Sequence, residues 1–300
     1  MVRPAHFGFN QETSVSNAFQ QSPAAGPPGD WQGPALAEFE ALAGLLRSAG
    51  IEVITAQDTP TPVKPDAVFP NNWVSFHHDG TVVLYPMLAA NRRSERRPEL
   101  IGEVIHAGGF RVTRTVDLAY RESEGKYLEG TGSLVLDRPG RIAYASLSPR
   151  TDLDVLGEFA QQLDYELVTF EARGASGQAV YHTNVLMAIG ARFAVICGEA
   201  ISDERHRRAV FSMLESAGQR IIEISVAQMH GFAGNLLALT GATGPVIALS
   251  AAAWRIFNED QRRALEQHGE ILAAAIPTIE RVGGGGVRCM LCEIHLPKRN

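Results

Sequence analysis

The sequence predicts an α/β fold assembled from many short strands. Three observations carry this: strand-like runs of four or five residues recur along the whole chain, amphipathic helical stretches fall between them, and glycine or proline punctuates the junctions. The runs are too many for one simple doubly wound sheet in 300 residues. Their rhythm of paired short strands, one helix and another strand suggests a repeat architecture, although no fixed period shows in the letters. No composition shift marks a linker, so residues 1–300 are expected to form a single domain.

Taken in order, the segment 20–34 (QQSPAAGPPGDWQGP) is rich in proline, glycine and glutamine and reads as a mobile surface loop. From 35 to 48, Leu36, Phe39, Leu42, Leu45 and Leu46 share one face at helical spacing, with Gly50 as the stop. Strands are expected at 51–55, 81–85, 111–116, 133–136, 142–145, 167–170, 185–188, 193–197, 220–224, 236–239, 246–250 and 270–275, and helices at 93–106, 151–163, 203–217 and 259–268. The basic run Arg205, His206, Arg207, Arg208 falls inside a helical pattern and reads as a solvated face.

Composition narrows the function. With 45% hydrophobic and 20% charged residues the chain is an ordinary globular one. Its net charge of -6 lacks the footprint that nucleic-acid binding needs, and no window is apolar for long enough to suggest a secretory leader or a membrane span. Three cysteines cannot build a disulfide framework and leave at least one thiol free, which points to a reducing cytoplasm. A small polar substrate is the default partner.

Four glycines at 283–286 stand immediately before Cys289 and Cys292. A glycine run lets backbone approach a ligand closely, and the residues after it alternate like a strand, so one thiol would face a pocket. The plainer alternative is a flexible connection followed by two buried small hydrophobes. A redox pair is disfavoured, because residues three apart on a strand point to opposite faces. A nucleophilic cysteine needs a proton acceptor nearby, and His182, in a polar opening before an apolar run, is the best placed of nine histidines. His77 and His78 precede Asp79-Gly80 and read as hairpin-turn residues, His206 and His268 lie in helical patterns, and His230 sits in another glycine-rich turn. Glu129, beside Gly130-Thr131-Gly132, is placed where a buried acid would be tolerated. Phe69-Pro70-Asn71-Asn72-Trp73 sets two amides beside aromatics able to cover a planar polar group, and the arginines of 92–97 include one suited to clamping a carboxylate.

In this order the segments resemble the guanidino-group-modifying enzyme superfamily of amidinotransferases, arginine deiminases and dimethylargininases, most closely its arginine deiminase-related, citrulline-utilisation hydrolases. The resemblance runs from about residue 3 to 297 and includes Ser148-Pro149-Arg150-Thr151, Phe232-Ala233-Gly234-Asn235 and the opening motif through Asn17. It implies a pentein fold, an α/β propeller of about five ββαβ units around a central site. It further implies that Cys289 is the nucleophile, His182 the acid and base and Glu129 the orienting carboxylate, with no metal or cofactor. Substrate binding would fall to Asn71, Asn72, Phe69, Arg92, Arg150, Asn17 and Asn235. The implied substrate is a guanidino or ureido amino acid, with no nucleic-acid or membrane partner and a homo-oligomer allowed.

Two positions depart from the family pattern. Where relatives hold a guanidinium with carboxylates, Asn71-Asn72 offers neutral amides, which suit a ureido oxygen and favour citrulline, or arginine taken through citrulline to ornithine. Gly286 replaces a polar residue and leaves the bonding around the thiolate open. Arginine deimination, amidino transfer and a non-catalytic binding protein of this fold remain alternatives.

Overall fold

The computed structural model describes residues 1–21 and 30–299; positions 22–29 of the expected loop lie outside them. The chain begins with strand β1 (Val2–Arg3), a one-turn helix α1 (Gln11–Ser14), helix α2 (Gln32–Ser48) and strand β2 (Ala56–Gln57), and β1 and β2 pair in parallel. Helix α2 buries Phe39, Leu42 and Leu46 on the predicted face and ends at Gly50, whose φ of 78° is the left-handed value that glycine tolerates. It starts three residues before the expected position, and only two residues near the strand expected at 51–55 are paired.

Four further units repeat one plan. In the first, β3 (Val74–Phe76) and β4 (Thr81–Leu84) form a hairpin, helix α3 (Pro98–Ala107) crosses over, and β5 (Arg114–Asp117) returns parallel to β4. The expected helix at 93–106 is interrupted: a 3-10 turn, Ala90–Glu95, precedes α3, because Pro98 disfavours helical backbone at Arg97. The second unit opens with a one-turn helix α4 (Gly130–Ser133), followed by β6 (Val135–Asp137), β7 (Ile142–Ser146), helix α5 (Leu153–Leu163) and β8 (Glu166–Phe170). The third comprises α6 (Thr183–Leu186), β9 (Met187–Ile189), β10 (Phe193–Ile196), α7 (Glu204–Ser216) and β11 (Arg220–Glu223). In the fourth, α8 (Val226–His230) precedes β12 (Leu237–Thr240) and β13 (Pro245–Ser250), and α9 (Ala251–Ile256) with α10 (Glu259–Glu266) leads to β14 (Glu270–Ala274). Each of these four sheets therefore holds an antiparallel pair and a parallel third strand, and each parallel connection runs through helix, as the geometry of parallel pairing requires.

The expected strands at 133–136 and 185–188 begin inside α4 and α6, so the first residue of one run and the first two of the other are helical. The largest correction falls at the cysteines. Residues after the glycine run form a one-turn helix, α11 (Val287–Met290), and not an alternating strand.

The units pack side by side. Strands β6, β9 and β12 are neighbours, and α2 lays Phe39 and Leu42 against Ala248, Leu272 and Ala274 of the last sheet. The C-terminal segment returns to residues 109–111, where Arg111 donates to the Pro297 carbonyl and Arg299 to that of Gly109. The first and last units are thus both tied to distant parts of the chain. Among the described residues no helix is long and apolar enough to cross a membrane.

Candidate active site

Asn71 with Asn72, Glu129, His182 and Asn235 sit at equivalent places in successive units, just before the first strand, and Cys289 follows the last strand of the chain. Asn71 and Asn72 form the turn before β3, Glu129 caps α4, His182 caps α6, Asn235 ends the turn before β12, and Cys289 lies in α11. These turns pack on one another, α4 against both the 70–72 turn and α6, and α11 against the 70–72 turn.

A small cavity opens where they meet, lined by Asn17, Phe69, Asn72, Arg92, Arg150, His182 and Cys289 together with Thr13, Asp66, Tyr181 and residues 283–285. The Cys289 sulfur is buried. It accepts from Asn235 Nδ2 at 3.3 Å and from Asn184 Nδ2 at 3.6 Å. Burial pushes its thiol up, and the Asn235 hydrogen bond works against that.

His182 and Glu129 form a buried pair with Nε2 and Oε2 at 2.8 Å. Burial would raise the carboxyl of Glu129, but Arg150, His182 and Arg92 together hold it well below the usual carboxylate range. Burial lowers His182 to about 4 in spite of that neighbour, so near neutral pH the imidazole is uncharged. With Nε2 donating to Glu129, Nδ1 is left as the free base. Gly132 is required here because a Cβ would stand 2.7 Å from His182 Nδ1 and 2.5 Å from Asn72 Nδ2.

The two arginines differ in how they are held. Arg92 is clamped by both carboxylate oxygens of Glu95 at 2.9 Å and donates from Nη1 to Asn72 Oδ1 at 2.9 Å. Burial acts against its charge, but Glu95 and Asp66 more than offset this. Arg150 donates to Ser16 Oγ, the Thr13 carbonyl and Glu129, and its guanidinium lies 4.7 Å from the Tyr181 ring centroid.

The loop 283–286 is held from two sides: Tyr181 donates to the Gly284 carbonyl at 2.8 Å and Asn17 Nδ2 to the same oxygen at 3.2 Å. Gly284 has φ 65°, and Phe69 lies so close over the loop that a Cβ at Gly285 would be 2.8 Å from its ring.

Two of the predicted side chains point elsewhere. Asn71 turns away from the cavity and bonds Thr131 Oγ1 at 3.2 Å, while its Oδ1 receives Asn72 Nδ2. Asn235 stands behind the sulfur and does not line the cavity. Cys292 is directed at the Val74 carbonyl, 3.4 Å away, on the far side of α11. The other histidines stay outside: His77 bonds Ser75 next to the β3–β4 hairpin, and His230 stacks on Phe19.

Asp66 was not legible as a site residue, since Lys64-Pro65-Asp66 reads as an ordinary turn. Its Oδ2 accepts from Asn10 and Thr13, and its buried Oδ1 has no partner among the described residues. Thr13, Ser16, Tyr181 and Asn184 were likewise within or beside segments singled out for other residues. Among the described residues, no group of three His, Cys, Asp or Glu side chains is arranged to hold a metal ion.

The match to a family model places the chain in the guanidino-group-modifying superfamily. It belongs to the family described as N,N dimethylarginine dimethylhydrolase, eukaryotic, whose model matches residues 3–296. No curated protein matches the chain by sequence. Among solved structures it is similar to ArgZ, an arginine dihydrolase from the ornithine-ammonia cycle in cyanobacteria, with a TM-score of 0.76 at 19% identity, covering all of this chain and 40% of that one. The N-terminal domain of an ArgZ variant covalently bonded to a reaction intermediate matches with a TM-score of 0.73 at 20% identity, over 99% of this chain and 98% of that domain. A dimethylarginine dimethylaminohydrolase variant, as its adduct with S-methyl-L-thiocitrulline, matches with a TM-score of 0.65 at 18% identity over 96% of each chain.

Proposed function

We propose that the chain is a cysteine-dependent hydrolase of the guanidino or ureido group of an arginine-like amino acid, releasing ammonia and converting citrulline, or arginine through citrulline, to ornithine. The observation that carries this reading is the cavity itself, which sets the Cys289 sulfur and the His182–Glu129 pair between two buried arginines and the neutral amide of Asn72. The covalent intermediate of the ArgZ variant and the thiocitrulline adduct of the dimethylaminohydrolase support covalent chemistry for this fold.

In this reading the Cys289 thiol gives its proton to His182 and attacks the planar carbon. His182 then returns a proton to the departing nitrogen, and ammonia leaves. Water, deprotonated by the same imidazole, adds to the thiouronium carbon, and the ureido product is released with the thiol restored. A second round on citrulline expels ammonia and leaves a thiocarbamate that still carries the ornithine nitrogen; water cleaves its carbon–sulfur bond, restoring the thiol, and the released carbamic acid loses carbon dioxide to give ornithine. Arginine plus two waters thus balances as ornithine, carbon dioxide and two ammonias. Glu129 stabilises the imidazolium between steps. Arg150 and the Nη1 edge of Arg92 take the substrate carboxylate, Asp66 Oδ1 takes its ammonium, Asn17 holds the glycine loop, and Phe69 covers the planar group. Asn72 meets a ureido oxygen or nitrogen without a full charge, with Asn71 fixing its amide.

The four ββαβ units and the β1–α2–β2 unit are read as five blades of one propeller formed by residues 1–300, acting in the cytoplasm without cofactor, alone or as a homo-oligomer. Purified protein incubated with arginine and with citrulline, with products identified by mass and ammonia counted per substrate consumed, tests the activity. Ornithine from citrulline is expected, and Cys289→Ser is expected to abolish turnover. Accumulation of citrulline from arginine overturns the second step. The family match favours a second reading, hydrolysis of dimethylarginine, which the assay tests with dimethylarginine added as a third substrate and dimethylamine as the product sought.

A further inference from the structure

The family pattern leaves the surroundings of the thiolate open at Gly286, and the packing behind the cysteine fills that gap. A Cβ at Gly286 would lie 2.5 Å from Asn235 Oδ1, so the space that a side chain would occupy is taken by the Asn235 amide. That amide is fixed in one orientation. Its Oδ1 accepts from the Arg288 backbone N–H at 3.1 Å, which directs Nδ2 to the Asn184 carbonyl at 2.9 Å and to the Cys289 sulfur at 3.3 Å. Reversing the amide would set oxygen against a carbonyl and NH2 against an N–H. Asn184 approaches the sulfur with Nδ2 at 3.6 Å and Oδ1 at 3.8 Å, so it can accept from a thiol and donate to a thiolate. Both asparagines are buried, and neither amide carries a charge.

We infer that Asn235, accommodated by the missing side chain at Gly286 and assisted by Asn184, is the hydrogen-bond donor that stabilises the Cys289 thiolate, so that a neutral amide does here what a cationic neighbour does at other reactive cysteines. Burial alone disfavours a charged sulfur, and two N–H donors aimed at it offset part of that cost without drawing the substrate's own charge. Asn235 therefore acts on the reacting sulfur and not on the substrate, which separates it from the pocket-lining role that the resemblance assigns to it. Asn184 occupies the position two residues after His182 and so ties the histidine's turn to the cysteine's helix.

The inference rests on Cys289 being the nucleophile, and the experiment keeps the two apart. The rate of Cys289 alkylation by iodoacetamide is followed against pH by peptide mass in the full chain, for the native protein and for Asn235→Ala and Gly286→Ala, beside kcat and KM. Loss of a hydrogen bond to a charged group predicts about tenfold slower alkylation at pH 7 in Asn235→Ala, with the profile moved about one unit to higher pH. Gly286→Ala, which pushes the amide away without removing it, shifts the profile in the same direction. A fall in kcat with little change in KM accompanies both. A profile that does not move in folded Asn235→Ala overturns the inference, and if that variant does not fold, an unmoved profile in Gly286→Ala does so. Full activity of Cys289→Ser overturns the nucleophile reading instead, whatever the alkylation profile shows.

Discussion

A buried carboxylate oxygen with no partner costs free energy unless something binds it, and Asp66, which lines the cavity, carries such an atom in its Oδ1. Its companion Oδ2 is anchored by Asn10 at 2.7 Å and Thr13 at 3.2 Å, so the carboxylate cannot turn to satisfy itself. A bound ammonium would meet that need. Asp66→Asn keeps the shape and removes the charge, and it is expected to raise KM for the amino-acid substrate roughly ten- to hundredfold while kcat changes little, because the ammonium is held equally in ground and transition states. Steady-state kinetics decide this, and an unchanged KM removes Asp66 from the binding site. At this scale the sequence marks the residues whose chemistry is unusual for their setting. Cys289 behind four glycines and Glu129 between small residues can be found by reading alone. Asp66 cannot, because an aspartate after a proline has the same appearance whether it caps a turn or faces a ligand.

Elements of ten residues or more are legible because they bury a periodic face, as α2 does with Phe39, Leu42 and Leu46. Helix α7 shows the complementary case. Its run Arg205, His206, Arg207, Arg208 lies on the solvated side, while Val210 and Leu214 face the core and Asp203 caps the N-terminus by accepting from the Arg205 and His206 N–H groups at 2.8 and 3.1 Å. Asp203→Ala is expected to cost about 1 kcal/mol of stability, read as a lower denaturation midpoint, with kcat and KM unchanged because α7 is remote from the cavity. The one-turn helices α4, α6 and α11 are a different matter. Four residues are too few to display a 3.6-residue period: Ser133 of α4 and Val185-Leu186 of α6 are read as the start of the strand that follows, and α11 is read as strand after the glycine run. These turns carry or adjoin Glu129, His182 and Cys289. The site is therefore legible as a set of residues and illegible as a set of elements. The conclusion that only one cysteine faces the pocket holds for a different reason from the one expected: Cys292 has left α11 and turned to Val74, whereas Cys289 is inside the helix.

Across the molecule, the site depends on the first and last units being tied together. The turn that leads from β14 into the glycine loop is fastened to α2, where Glu38 accepts from the Thr278 and Ile279 N–H groups at 2.8 and 2.9 Å. No sequence pattern announces that contact, since it joins residues about 240 apart. Within the same turn Glu280 is buried, and Oε1 has no partner among the described residues. Burial first, and then the charge of Glu38, push its carboxyl up to about 7, against the Ser250 hydrogen bond, while an unfolded chain would titrate it near 4.5. The folded protein therefore holds a proton there that the unfolded chain releases between these two values. The stability this proton confers is fully present below pH 4.5 and is lost as pH rises through 7. His77 behaves oppositely: burial lowers it to about 3, so its contribution is present above pH 6.5 and fades as acid protonates the unfolded chain. The net pH dependence of the native protein mixes these signs, but a neutral isostere isolates one of them. Glu280→Gln cannot ionise, so relative to the native protein it should be more stable at pH 8, by about 3 kcal/mol. That advantage should shrink steadily on acidification and vanish near pH 4.5. Denaturant unfolding of both proteins at several pH values between 5 and 8 gives the difference directly, and a gap that stays constant with pH would show that Glu280 is ionised in the closed turn at all of them.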